Sequence, residues 1–228
     1  MGIPRKAVRF ILLTIVACAC RPNTELIQFE PLSYYPIATG KFTEYEVTKT
    51  TYSLSQDPQT KKALIRESIG DSFADAAGQV VFRLNYATNY GVNIWKLDSV
   101  NTVWQTVDKL FGVESGQIIV KLSLPINERN VWNGNAYNFS GERRYHVKNV
   151  DMPFKAGPIL FPKTVTVVRQ NDSTLISQRK HIEIYAEGVG LIQKEISYLN
   201  FCYSTDCKTK GIINSGWSEI SVIKNYGK

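Results

Sequence analysis

His146 and His181 are the only imidazoles in the chain, and they stand 35 residues apart. His181 precedes Glu183 by two in an alternating stretch, and His146 follows Tyr145 beside Arg143 and Arg144. General acid–base work needs such a group within hydrogen-bond reach of the proton it moves. The spacing unites neither histidine with a nucleophile, so each reads as a solvated or hydrogen-bonded strand residue. Glu44 and Glu46 sit at i, i+2 on one strand face, where paired carboxylates are most simply solvated. Asp71 and Asp75 flank a turn, without the loop pattern of an EF-hand. No serine occupies a G-x-S-x-G elbow. Gly188-Val189-Gly190 lacks the third glycine of a dinucleotide fingerprint and runs into a strand. The expectation is a protein that is not an enzyme, with no catalytic residue, no cofactor and no metal.

Four cysteines remain. Cys202 and Cys207 could supply two zinc ligands, but no CxxC or nearby histidine completes a set. A disulfide is the preferred reading, as suits an oxidising compartment. Cys18 and Cys20 close a segment of another kind. Arg5, Lys6 and Arg9 are followed by the uncharged, mostly apolar run Phe10 to Ala19, which ends on small residues. That is the build of an export signal, and the run is far short of the roughly 20 residues that span a bilayer. Ending on cysteine, it resembles a bacterial lipoprotein signal, whose cysteine takes the lipid. Two registers compete: Ile15-Val16-Ala17 before Cys18, and Ala17-Cys18-Ala19 before Cys20. Cys20 is preferred because it leaves an even pair, Cys202 and Cys207, in the exported part; Cys18 is the alternative.

The chain then divides into a signal at 1–19, a tether at 20–30 and a folded domain at 31–228. Removing Arg5, Lys6 and Arg9 lowers the formal charge from +7 to +4. The other basic residues are scattered, with no aromatic-laced basic stripe for nucleic acid.

The domain reads as strands. Glu44 to Tyr52 alternates with period two, as a half-buried strand does. Gln56 to Gln59 reads as a turn, on Asp57 and Pro58. Further strands are expected at Ala63–Phe73, Gln79–Asn89, Asn93–Thr106, Ile118–Leu124, Arg144–Val150, Phe161–Arg169, Ser173–Tyr185, Leu191–Phe201 and Ser218–Lys224. Asp57–Arg66 and Thr102–Phe111 carry faint helical signals. About ten strands on short connections imply an all-β domain. Twist must curl such a sheet, so the expected fold is a strongly curved antiparallel sheet or open barrel-like single domain with few or no helices.

Three segments carry a family likeness: Tyr34-Tyr35-Pro36-Ile37-Ala38-Thr39-Gly40 with Glu44-Tyr45-Glu46-Val47; Val120 to Pro125 with Val131-Trp132-Asn133-Gly134-Asn135; and Tyr185 to Glu195. Together they resemble a group of uncharacterised Bacteroidota lipoproteins. Phe42-Thr43-Glu44 departs from that pattern, where a tryptophan is usual. The last segment is also similar to curved-sheet periplasmic proteins related to lipoprotein carriers. The likeness implies a lipid-anchored envelope protein and no catalytic residue. In such bacteria lipoproteins bound for the outer surface often bear acidic residues just after the cysteine. Arg21 to Glu25 has no such cluster, which favours an outer-membrane protein facing the periplasm.

The expected role is a binding or structural module, held to the membrane by its N-terminal lipid and engaging another envelope protein or a glycan. Trp132, Asn133 and Asn135 are the candidate ligand or partner contact, because Asn-Gly signals a turn that would set the indole at a loop edge. The alternatives are a carrier of lipid or hydrophobic ligands on a concave sheet, and an unrecognised hydrolase.

Overall fold

The computed structural model describes residues 31–92, 94–204, 207 and 211–228. The signal segment, the tether and both candidate lipidation sites, Cys18 and Cys20, lie outside the described residues.

Alternating side chains and short polar turns produce one antiparallel meander. A four-residue helix, α1 (Pro31–Tyr34), precedes twelve strands. These are β1 (Phe42–Ser53), β2 (Gln56–Ala74), β3 (Val80–Asn89), β4 (Trp95–Gln105), β5 (Lys109–Glu114) and β6 (Gln117–Ser123), then β7 (Val131–Asn133), β8 (Arg144–Ala156), β9 (Ile159–Ser173), β10 (Ser177–Ala186), β11 (Gly190–Phe201) and β12 (Ile213–Gly227). The order is β6-β5-β4-β3-β2-β1-β12-β11-β10-β9-β8-β7, so the first and last strands pair in the middle. Twist brings the two edges, β6 and β7, together. The Val120 N–H donates to the Gly134 carbonyl at 2.9 Å. Trp132 Nε1 donates to the Val120 carbonyl at 2.9 Å, and Asn138 Nδ2 to that of Ile118 at 2.8 Å. Side chains thus satisfy the edge strand's backbone where a thirteenth strand would. The result is the expected all-β, barrel-like sheet, nearly closed.

The structure corrects four local readings. Residues 56–59 are not a turn: the chain reverses at Leu54–Ser55, and Pro58 falls where the β1–β2 register shifts between Thr51 and Ser53. A bulge is where a strand tolerates proline. Asp57–Arg66 is strand throughout. Thr102–Phe111 is a hairpin, its turn held by Thr106 Oγ1 donating to Asp108 at 3.0 Å. Ser173–Tyr185 is two strand segments, the end of β9 and the body of β10, broken at Thr174–Ile176.

In a meander, successive connections alternate between the two ends of the barrel. The β1–β2, β3–β4, β5–β6, β7–β8, β9–β10 and β11–β12 connections share one end, called upper here. The other connections share the lower end with α1. Glycines shape the dock for α1. Gly188 (φ +76°) turns the β10–β11 hairpin and donates its N–H to the Ser33 carbonyl at 2.5 Å. Gly190 lies against the Tyr35 ring. Tyr34 and Tyr35 are buried; Tyr35 meets Tyr185 edge-on at 6.2 Å and donates to Glu67 at 2.9 Å. This aromatic plug fills the lower end. The outer wall carries ion pairs, Glu44–Arg66, Glu46–Lys62 and Lys180–Glu195.

Candidate functional site in the barrel interior

Above the plug the inward faces of β5, β6, β9 and β10 hold charges. Arg169 reaches across from β9. It donates to both oxygens of Glu114, at 3.0 and 2.7 Å, and to Glu183 Oε1 at 2.8 Å. Lys121 Nζ donates to Glu114 Oε1 at 2.8 Å. Glu183 also accepts from Tyr185 at 2.6 Å and meets His181 Nε2 at 3.0 Å. The guanidinium lies 5.0 Å from the Tyr145 ring centre. Two carboxylates and two cations make a neutral group, the condition for keeping charges out of water. Glu183 is 1% exposed and Arg169 5%.

The electrostatics follow. Burial alone would raise the Glu114 carboxyl, but the charges of Lys121 and Arg169 outweigh it and hold it at about 2. Burial likewise opposes ionisation of Glu183, and Arg169 and Lys121 override it, so its carboxyl sits well below the ordinary range. Burial pushes the His181 imidazole down, against the pull of Glu183. His181 is therefore neutral at neutral pH. Because Glu183 is an acceptor, Nε2 carries the proton and Nδ1 is an acceptor. Among the described residues no hydroxyl or thiol hydrogen-bonds to His181.

Beside this group lies a chamber of about 280 Å³, near the lower end of the roughly 300–1,000 Å³ usual for small-molecule sites. Val47, Ile65, Leu191 and Ile196 with the rings of Tyr45 and Tyr86 form its apolar wall. Glu67, Asn101, Lys194, Glu219 and Ser221 supply polar groups, and Glu114, Lys121, His181 and Glu183 border it. Ser115, in the β5–β6 turn, also lines it, so the chamber lies toward the upper end. Burial, then Glu67, pushes the Tyr86 hydroxyl well above its ordinary value, so it stays a proton donor.

Trp132, Asn133 and Asn135 sit at the β6–β7 seam. Trp132 is buried and stacks edge-on with Tyr145 at 5.9 Å. Asn133 Oδ1 accepts from the Asn135 and Arg143 N–H groups, both at 3.0 Å. Asn135 Nδ2 donates to the Gly141 carbonyl at 2.9 Å. Trp132 Nε1, Asn133 Oδ1 and both ends of the Asn135 amide are engaged within the chain. His146 faces an outer basin, apart from His181. Burial, then Lys148, lowers its imidazole. Cys202 and Cys207 form a disulfide with a Cα–Cα distance of 5.7 Å. No cluster of three or more His, Cys, Asp and Glu suited to a metal occurs among the described residues.

Sequence reading missed Glu114, Lys121, Arg169 and Tyr185 as a group. A signal existed. Lys121 interrupts the apolar run Ile118 to Leu124, and Arg169 ends the run Val165 to Val168. Charges are seldom fully buried unless paired.

No protein-family model matches the chain, and no curated protein matches it. In structure it is similar to a candidate lipoprotein of Parabacteroides distasonis, with a TM-score of 0.38 and 10% identity. The match covers 85% of this chain and 98% of that one.

Proposed function

We propose that this protein is a lipid-anchored, non-catalytic binding module of the cell envelope, whose barrel holds a small ligand with both apolar and hydrogen-bonding groups. The chamber carries the reading: an apolar wall faces polar groups inside a nearly closed sheet with a plugged floor. A wholly apolar guest would strip water from Glu67 and Glu219 and return no hydrogen bond, which is costly. Turnover is disfavoured because Glu183 is committed to Arg169 and, among the described residues, no hydroxyl or thiol hydrogen-bonds to His181. The signal-like N-terminus ending at Cys20 supports the anchor, and the disulfide suits an oxidising envelope. The placement at the periplasmic face of the outer membrane rests on the residues after Cys20.

Two measurements test this. Native mass spectrometry of protein taken from its own membranes should show a bound non-protein mass, which Ser221→Trp removes by filling the chamber while the melting temperature stays within a few degrees. An empty wild-type barrel, or a Ser221→Trp variant destabilised like an overpacked core, would count against the chamber. For the anchor, Cys18→Ala with Cys20→Ala should shift the protein from the membrane fraction to the soluble one, since acyl chains supply about 0.8 kcal/mol per buried CH₂. Unchanged fractionation of that double variant rejects lipidation at either cysteine.

A further inference from the structure

The two ends of the barrel differ in what they expose. At the upper end five of the six connections carry large apolar side chains in solvent, the most exposed on each being Leu54, Val92, Phe139, Leu175 and Tyr203. Phe139 is fully exposed and Val92 is 92% exposed. Only the short β5–β6 turn, beside the chamber, lacks one. Among the described residues, the lower connections expose a single large apolar side chain, Val107, with Val80 and Leu160 exposed on the strand ends beside them. Each of these side chains would gain free energy by leaving water for an apolar surrounding.

Cations stand behind these tips. On the inward face above the chamber, Lys49, Trp217, Tyr198 and Arg179 stack in a row across β1, β12, β11 and β10. Lys49 Nζ lies 4.6 Å from the Trp217 ring centre, the two rings are 5.2 Å apart, and the Arg179 guanidinium is 5.8 Å from Tyr198. On the outer wall, behind the Phe139 loop, Arg143, Arg144, His146 and Lys148 line a basin of about 490 Å³. Glu142 and Asp172 are its acidic members, and Glu142 is paired with Arg144.

We infer that the upper end docks on an anionic lipid bilayer. The apolar groups stand on five separate connections, at the end where Ser115 borders the chamber. A bilayer accepts such tips independently and gains from each apolar group it buries. Arg and Lys near the surface add attraction to anionic headgroups. A protein partner would have to match five tips at once. The first described residues, in α1, stand at the lower end, so the tips lie at the opposite end from the point where the preceding segment joins the barrel. It does not depend on what the chamber binds.

All twelve strands of the barrel lie within residues 42–227, so residues 21–228 carry the test. This chain should float with vesicles of mixed phosphatidylglycerol and phosphatidylcholine, and poorly with phosphatidylcholine alone. The triple change Val92→Ser, Phe139→Ser, Leu175→Ser should weaken vesicle binding by about tenfold or more, with an unchanged melting curve because all three side chains are exposed. Val107→Ser, at the other end, should leave binding as it was. Arg143→Gln with Arg144→Gln and Lys148→Gln should reduce the phosphatidylglycerol-dependent part. Absence of flotation, or equal flotation by the tip variant, overturns the proposal. So does a concentration-dependent dimer that the tip variant abolishes while vesicles bind neither form; the covering partner would then be a second copy of the chain.

Discussion

Arg169→Met is expected to lower unfolding free energy by about 3–5 kcal/mol, the usual consequence of removing one member of a buried ion pair. Against the roughly 5–15 kcal/mol of a typical domain, that is a large share. Arg169 bridges Glu114 on β5 to Glu183 on β10, and without it Lys121 alone faces two carboxylates. Urea denaturation across pH tests both size and cause. Both carboxyls have folded-state values below their unfolded ones. Their stabilisation is therefore complete above the unfolded value of about 4.3 and is lost as pH falls toward about 2 for Glu114. In the variant those values rise, so its deficit should be greatest near neutral pH and shrink in acid. A deficit that is flat with pH would mean that Arg169 acts through packing. Arg169→Met with Glu183→Leu should cost less than Arg169→Met alone, because the stranded charge is gone.

Gly134→Ala is expected to disrupt the seam. A methyl group built at this position overlaps the Tyr145 ring. Tyr145 is 1% exposed, locked between Trp132 and Arg169, and cannot move aside. Overpacking a well-filled core costs roughly 1–3 kcal/mol, occasionally more, and here it strikes the residue whose carbonyl joins β7 to β6. The variant should lose at least about 3 kcal/mol and show faster amide exchange at Val120. Gly141→Ala, in the same connection, meets open space at φ +80° and should cost only about 1–2 kcal/mol of backbone strain. Equal losses at the two glycines would remove the steric explanation.

Most strands were legible because inward and outward residues alternate along them. Thr102–Phe111 misled for a physical reason: Val103 and Trp104 lie seven residues from Leu110 and Phe111, a spacing that imitates two helical turns, while Thr106 and Asp108 close a hairpin between them. Pro58 suggested a turn and occupies a bulge. The interior site was hidden at another level. Arg169 and Glu114 are 55 residues apart on strands that are not neighbours, and they meet only because the sheet rolls up. Alternation can point a side chain inward, but which side chains then face each other depends on the stagger of all twelve strands. The same holds at Trp132, where an Asn-Gly turn was readable and the carbonyl awaiting the indole was not.

The pairing of β1 with β12 joins Phe42 to Gly227 and Ser53 to Ser215. Contacts this distant along a chain make folding slow. A nascent polypeptide still lacking β12 has nothing to bridge β1 and β11, so the cylinder is unfinished until its last strand emerges. A product truncated before residue 213 would present two unpaired edges for aggregation.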